Sequence, residues 1–167
     1  MRKRNLFVPN KLAYTRHQEL PEVGCILCAI AQGDPQVTNL VVGQADGFIA
    51  SLNLYPYNPG HLIVFPERHV LDIRELSDQE TLRFLSLTKI CMEVLDELYQ
   101  PQGYNLGCNI GAVSGASIIH LHQHVVPRYP KELGLIDIIG GARVIVEDPT
   151  ATREKLISAF KERGMRP

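Results

Sequence analysis

Ile119-His120-Leu121-His122-Gln123-His124-Val125-Val126-Pro127-Arg128 holds three of the six histidines of the chain, each two residues from the next. In a β-strand, residues i, i+2 and i+4 share one face and stand roughly 7 Å apart, whereas a helix turns the middle one away. The flanking Ile, Leu and Val favour the strand. The sequence therefore predicts a strand from Ile119 to Val126 with a row of three imidazoles on one accessible face. The plain alternative is a half-buried strand that carries histidine by accident, and alternation at this period between apolar residues argues against it.

Imidazole is neutral and basic near pH 7, which opens metal ligation, proton transfer and nucleophilic attack. Spacing alone does not choose among them. Just upstream, Asn109-Ile110-Gly111-Ala112-Val113-Ser114-Gly115-Ala116-Ser117 is a loop of small residues whose backbone N–H groups can converge on an anion. It lacks the lysine of a P-loop, and glycine and serine are also ordinary loop formers. Imidazoles beside an anion cradle suggest phosphoryl chemistry.

The balance of 17 basic and 18 acidic residues leaves a net charge of −1. That gives no general pull toward nucleic acid or a membrane, so phosphate recognition has to be local. With 167 residues, 45% of them hydrophobic, the chain can bury a sizeable core, and nothing in it resembles a linker or a repeat. No apolar run approaches the roughly 18 residues of a spanning helix. Behind the basic Met1-Arg2-Lys3-Arg4, Leu6-Phe7-Val8 is too short for a signal-peptide core. The expectation is a cytoplasmic protein, in which Cys25, Cys28, Cys91 and Cys108 form no disulfide framework.

Residues 1–24 show no period and contain Pro9, Pro21 and Gly24, which suggests an arm packed on the domain or on a second subunit. Residues 25–167 read as a single domain. Cys25-Ile26-Leu27-Cys28 is either half of a zinc site or a redox pair. The Gly24 entry and Gly33-Asp34-Pro35 exit leave only a short turn of helix, which favours zinc. Leu40-Val41-Val42 and Phe48-Ile49-Ala50 flank Asp46-Gly47 as a hairpin, and a third apolar run spans His61 to Phe65. Ser77-Asp78-Gln79-Glu80 reads as a capping box. After it Leu82, Leu85, Met92, Leu95 and Tyr99 recur at helical spacing as a stripe for the sheet, until Pro101 and Gly103 stop the run. Tyr104 to Asn109 supplies another strand. Asp148-Pro149 suits a helix start, and Leu156, Ile157 and Phe160 mark a terminal helix ending near Gly164. The predicted fold is α+β: an antiparallel sheet of about five strands, one long helix packed on it and a C-terminal helix.

His120-Leu121-His122-Gln123-His124-Val125-Val126 resembles the signature of the histidine-triad (HIT) family, His-x-His-x-His followed by two apolar residues. The similarity extends to Asn109, Gly111, Gly115 and Ser117 and to Pro59-Gly60-His61-Leu62-Ile63-Val64, covering roughly residues 25 to 130. For the fold the resemblance implies the HIT architecture, and for assembly a homodimer with the long helix or the strand near 104 to 109 at the interface. For the cysteines it implies a structural zinc completed by His69 and by the first triad histidine, so that the ligands are Cys25, Cys28, His69 and His120.

For catalysis it implies that His122 attacks the α-phosphorus of a nucleotide and carries the nucleotidyl group covalently, a route that splits one hard displacement into two easier ones. His124 then stands beside the phosphate as hydrogen-bond donor or manager of the leaving-group proton. His61 borders the pocket, Asn53 meets the ribose, and Asn109, Gly115 and Ser117 line the phosphates. The later stretches Val126-Pro127-Arg128-Tyr129 and Ile138 to Val144 look similar to a branch that includes diadenosine tetraphosphate phosphorylases. Tyr129 stands where that branch usually has Trp, and Lys131 to Leu135 lack its Asn-containing stretch, so no acceptor site is carried onto them. Hydrolytic members commonly have Gln where Ala116 stands. A methyl group offers water no hydrogen bond, which predicts phosphorolysis of a dinucleoside polyphosphate by inorganic phosphate in preference to water. The alternatives are a hydrolase or phosphoramidase of the same fold, and a zinc-containing nucleotide-binding regulator with little turnover.

Overall fold

The computed structural model describes residues 23–111, 113–130 and 149–167. Residues 1–22 of the expected arm, Ala112, Lys131 to Leu135, Ile138 to Val144 and the Asp148 cap lie outside the described residues.

Asp46 and Gly47 both take positive φ, 52° and 83°, as a tight hairpin with the right-handed twist requires. They join β1 (Val41–Ala45) to β2 (Phe48–Leu52). β3 (Leu62–Pro66) runs antiparallel to β2, from Phe48 opposite Pro66 to Leu52 opposite Leu62. With β4 (Gly103–Cys108) and β5 (Gln123–Arg128) the sheet has the order β1-β2-β3-β5-β4, antiparallel throughout. This is the expected α+β architecture with five strands.

Two helices cover one face. The Ser77 hydroxyl accepts the Glu80 N–H at 3.3 Å while the Glu80 carboxylate accepts the Ser77 N–H at 2.8 Å, the reciprocal cap that opens the long helix; a short helix α1 (Ile26–Ala31) precedes it, so the long one is α2 (Asp78–Tyr99). α2 ends at Gln100 in the left-handed region, φ 48°, directly before Pro101. Its buried side is Phe84, Leu87, Thr88, Cys91, Val94 and Leu95, packed over Phe48, Ala50, Leu62, Val64 and Val125. The sequence stripe is therefore corrected in its first half: Leu82 and Leu85 are 66% and 48% exposed. Two stripes of helical spacing overlap here, and the one headed by Phe84 wins because its ring meets Phe48 at 5.4 Å between centroids.

The terminal helix α3 (Pro149–Glu162) lays Leu156, Ala159 and Phe160 against the same core. Gly43 makes that fit, since a Cβ there would stand 2.7 Å from the Phe160 ring. Beyond α3 the Met165 N–H donates to the Phe160 carbonyl at 3.1 Å, and the Gln44 N–H of β1 donates to the Arg166 carbonyl at 2.7 Å. On the opposite face lies α1, with Leu27 packed on Val41, Ile49, Ile63 and Phe65. Among the described residues no helix is long and apolar enough to cross a membrane.

Candidate active site and metal centre

Cys25 caps the N-terminus of α1 and Cys28 is its third residue, so both thiols point to one side, as residues three apart on a helix do. His69 follows β3, and His120 precedes β5. The fold brings these four together: their ligand atoms all lie within 4.8 Å of one another. Cys25 Sγ is 3.4 Å from His120 Nδ1, and Cys28 Sγ is 3.2 Å from His69 Nδ1 and 3.5 Å from His120 Nδ1. Zinc with Zn–S near ~2.3 Å and Zn–N near ~2.0 Å at a tetrahedral angle separates S from N by about 3.5 Å, so the donor set fits that ion. The far nitrogen of His120 donates to the Pro66 carbonyl at 3.0 Å, an outer contact of the kind that fixes a ligating ring's tautomer. Burial lowers the His120 pKa to about 4, keeping the ring in the neutral form a metal needs. The Cys28 thiol is raised to about 11, first by burial and then by the neighbouring Cys25. A divalent cation would reverse that cost by favouring the thiolate.

The triad differs from its expectation in one respect. β5 begins at Gln123, so His120 and His122 stand ahead of the paired strand. The reason is that the Pro66 carbonyl, at the end of β3, accepts a hydrogen from the His120 ring. The Leu121 N–H donates instead to the Val70 carbonyl at 2.6 Å. His120 thus faces the Cys25 and Cys28 thiols with His69, ring centroids 4.9 Å apart. His122 and His124 form a separate pair, also at 4.9 Å. His122 is also not on an accessible surface; it is 4% exposed.

Hydrogen bonding sets the form of each ring. His122 Nδ1 lies 2.8 Å from the carbonyl of His120, an acceptor only, so Nδ1 carries the proton and Nε2 keeps the lone pair. Burial lowers the pKa of this ring below the usual histidine value. His61, fully buried behind the triad, accepts the Tyr57 N–H on Nδ1 at 3.0 Å. Its own proton is therefore on Nε2, which stands 3.1 Å from His124 Nδ1. Receiving that proton, neutral His124 holds its hydrogen on Nε2. The Asn53 amide nitrogen lies 3.3 Å from the same His61 nitrogen, and its oxygen accepts the Tyr55 N–H at 3.0 Å. One ring thus keeps a lone pair on Nε2 and its neighbour a hydrogen on Nε2.

A cavity of about 450 Å³ opens on this pair, between α1 and the sheet. Asn53, Asn109, Gly115, Ser117, His122 and His124 all line it, whereas His61 reaches it through His124. Gly111 and Gly115 turn the loop with φ of 85° and 86°. Sequence reasoning missed Ser51, Tyr57 and the apolar wall of Ile26, Leu27 and Ile30. For Ser51 a signal was present: it stands two residues from Asn53 and so shares its face.

The HIT domain family model matches residues 34–131, more than half of the chain. The chain belongs to the HIT family. It is 41% identical over 130 residues to the AP-4-A phosphorylase of Mycobacterium tuberculosis, covering 75% of this chain and 67% of that protein. With the adenosine 5'-monophosphoramidase of Schizosaccharomyces pombe it shares 30% identity over 113 residues, 68% of this chain and 80% of the relative. Among solved structures, a Zn-bound histidine triad family protein from Mycobacterium smegmatis superposes with a TM-score of 0.69 at 22% identity, covering 84% of this chain and 96% of that one. That likeness establishes the fold.

Proposed function

We propose that this HIT-family chain is a nucleotide-processing enzyme that transfers the nucleotidyl group of a dinucleoside polyphosphate through a covalent intermediate on His122. The observation that carries this reading is the pair of opposed tautomers, His122 bonded through Nδ1 to the His120 carbonyl at 2.8 Å and His124 through Nδ1 to His61 at 3.1 Å. Nε2 of His122 attacks the α-phosphorus, the P–N bond forms, and the phosphoanhydride breaks. The departing nucleotide takes the Nε2 proton of His124. An acceptor then attacks the same phosphorus and releases His122. Asn53 serves the ribose, and Asn109, Gly115 and Ser117 the phosphates.

For the acceptor we favour inorganic phosphate over water. Ala116, half-buried between the cavity residues Gly115 and Ser117, cannot orient water, and the relative at 41% identity is named a phosphorylase. Diadenosine tetraphosphate would then give ADP and ATP. The test is product analysis with and without millimolar phosphate; AMP plus ATP at a phosphate-independent rate would assign a hydrolase. Phosphoramidase activity is the second reading, supported by the S. pombe relative.

Cys25, Cys28, His69 and His120 hold zinc in this reading, and four protein ligands leave no position for water, so the ion is structural. Its chemistry is to fix the His120 backbone, whose carbonyl orients His122. One zinc per chain by elemental analysis is expected. The enzyme works as a homodimer through the outer edge of β4, where Leu106 is exposed, and light scattering reads that mass. We assign it to the cytoplasm, where the thiols stay reduced.

A further inference from the structure

We propose that Thr88, which stands on α2 and lines no part of the cavity, is a positioning residue for the two histidines of the site and acts through Gln123. The inference rests on the reading that His122 and His124 are the reacting pair. Gln123 is the residue between them, and its side chain leaves the backbone on the other face, toward α2. Leu121 and Val125 on either side of it are packed in the core beneath α2. Gln123 is thus a polar anchor between two apolar ones, and its Oε1 lies 2.6 Å from the Thr88 hydroxyl. The rest of the buried side of α2 is Phe84, Leu87, Cys91, Val94 and Leu95, so Thr88 brings the hydroxyl on that face.

That hydroxyl has one hydrogen and two acceptors within reach, Gln123 Oε1 and the Phe84 carbonyl at 2.9 Å. Phe84 stands four residues back, so its carbonyl already receives the Thr88 N–H in the helix ladder. A separation of 2.6 Å is that of an O–H···O bond, and without the proton it would set two lone pairs against each other. The hydrogen therefore goes to Gln123. This bond falls where the backbone leaves the sheet. Gln123 pairs with Val64 and Cys108, and His124 with Ile63 and Gly107, whereas His122 stands ahead of β5. One histidine is held by the ladder, the other by the direction in which the chain departs from Gln123. An apolar side chain there would pack on α2 and still slide, whereas a hydrogen bond is directional. Reacting groups misplaced by about 1 Å lose about a hundredfold in rate. The anchor therefore sets the tolerance of the His122–His124 spacing, 4.9 Å between ring centroids.

The test compares Thr88→Val, which keeps the shape and removes the hydroxyl, with Thr88→Ser, Gln123→Leu and the Thr88→Val/Gln123→Leu double variant, all with diadenosine tetraphosphate as substrate. Thr88→Val and Gln123→Leu should each lower kcat about ten- to a hundredfold with KM within about twofold, while Thr88→Ser, which keeps the donor, stays within about threefold of the unmodified protein. Removing both partners of a buried hydrogen bond leaves nothing unsatisfied. The double variant should therefore regain the thermal midpoint of the unmodified protein and remain as slow as Thr88→Val, a split that a merely structural contact does not give. A double variant whose kcat recovers with its midpoint, or a folded Thr88→Val at the unmodified rate, overturns the inference. Long-range 1H–15N spectra of the imidazoles in the free protein give a second reading. The His122 and His124 signals should shift in the double variant, and signals identical to those of the unmodified protein also overturn it. An unmodified protein that turns over no diadenosine tetraphosphate overturns the proposed function instead, and the imidazole spectra then decide the positioning on their own.

Discussion

Replacing His61 by Leu removes one hydrogen-bond donor from the triad while filling nearly the same buried volume. Tyr57 N–H occupies Nδ1 of His61, and Nε2–H reaches His124 Nδ1 at 3.1 Å. Without it His124 is free to carry its proton on Nδ1, which turns a lone pair toward the phosphates and leaves the departing group without a proton. A buried hydrogen bond lost with its partner left unsatisfied costs about 1–3 kcal/mol, which corresponds to a fall in kcat of roughly 5- to 150-fold. KM should change little, because His61 is fully buried and does not line the cavity. Two AMP derivatives separate proton donation from general damage. An AMP alkylphosphoramidate, whose amine cannot leave unprotonated, should lose the full factor. The p-nitrophenyl ester of AMP, which departs as a stable anion, should lose less than about threefold. Equal losses on both substrates, or an unaltered kcat on the phosphoramidate, would refute the tautomer assignment.

His122→Ala should lower turnover by more than about a thousandfold while the fold persists, read by steady-state kinetics beside thermal unfolding; a retained rate would move the nucleophile elsewhere. Because burial lowers the His122 pKa, its neutral, attacking form survives below pH 6.5, so the acid limb of kcat/KM should lie below that value, and a limb above it would contradict the burial argument. Gly43→Ala should destabilise the domain by about 1–3 kcal/mol, since the new Cβ would stand 2.7 Å from the wholly buried Phe160 ring; urea unfolding measures it, and an unchanged midpoint would show that α3 shifts freely.

Much of this was legible in the chain. Asp46-Gly47 announces its hairpin because few residues tolerate two positive φ values, and Ser77 with Glu80 announces the start of α2 because a capping box is local chemistry. The separation of His120 from the strand was not legible, since it depends on the Pro66 carbonyl, 54 residues away, accepting a side-chain hydrogen. Helical period alone could not choose between the Leu82 and Phe84 stripes, because that choice is made by the Phe48 ring on another strand. The metal set spans Cys25 to His120 and emerges only when β3, α1 and the triad segment converge. The apolar wall of the cavity was hidden for a similar reason: Ile26 and Ile30 read as ordinary helix interior until the sheet lies across from them.

The Gln44 N–H bonded to the Arg166 carbonyl governs how copies of this chain can add to one another. Open strand edges are templates for further strands, and a sheet with two of them can polymerise head to tail. Among the described residues one margin is met by the chain's own backbone at Gln44, and β4 is the margin without a strand partner. A contact between two β4 margins is self-complementary and uses up both, so growth by this route ends at two subunits.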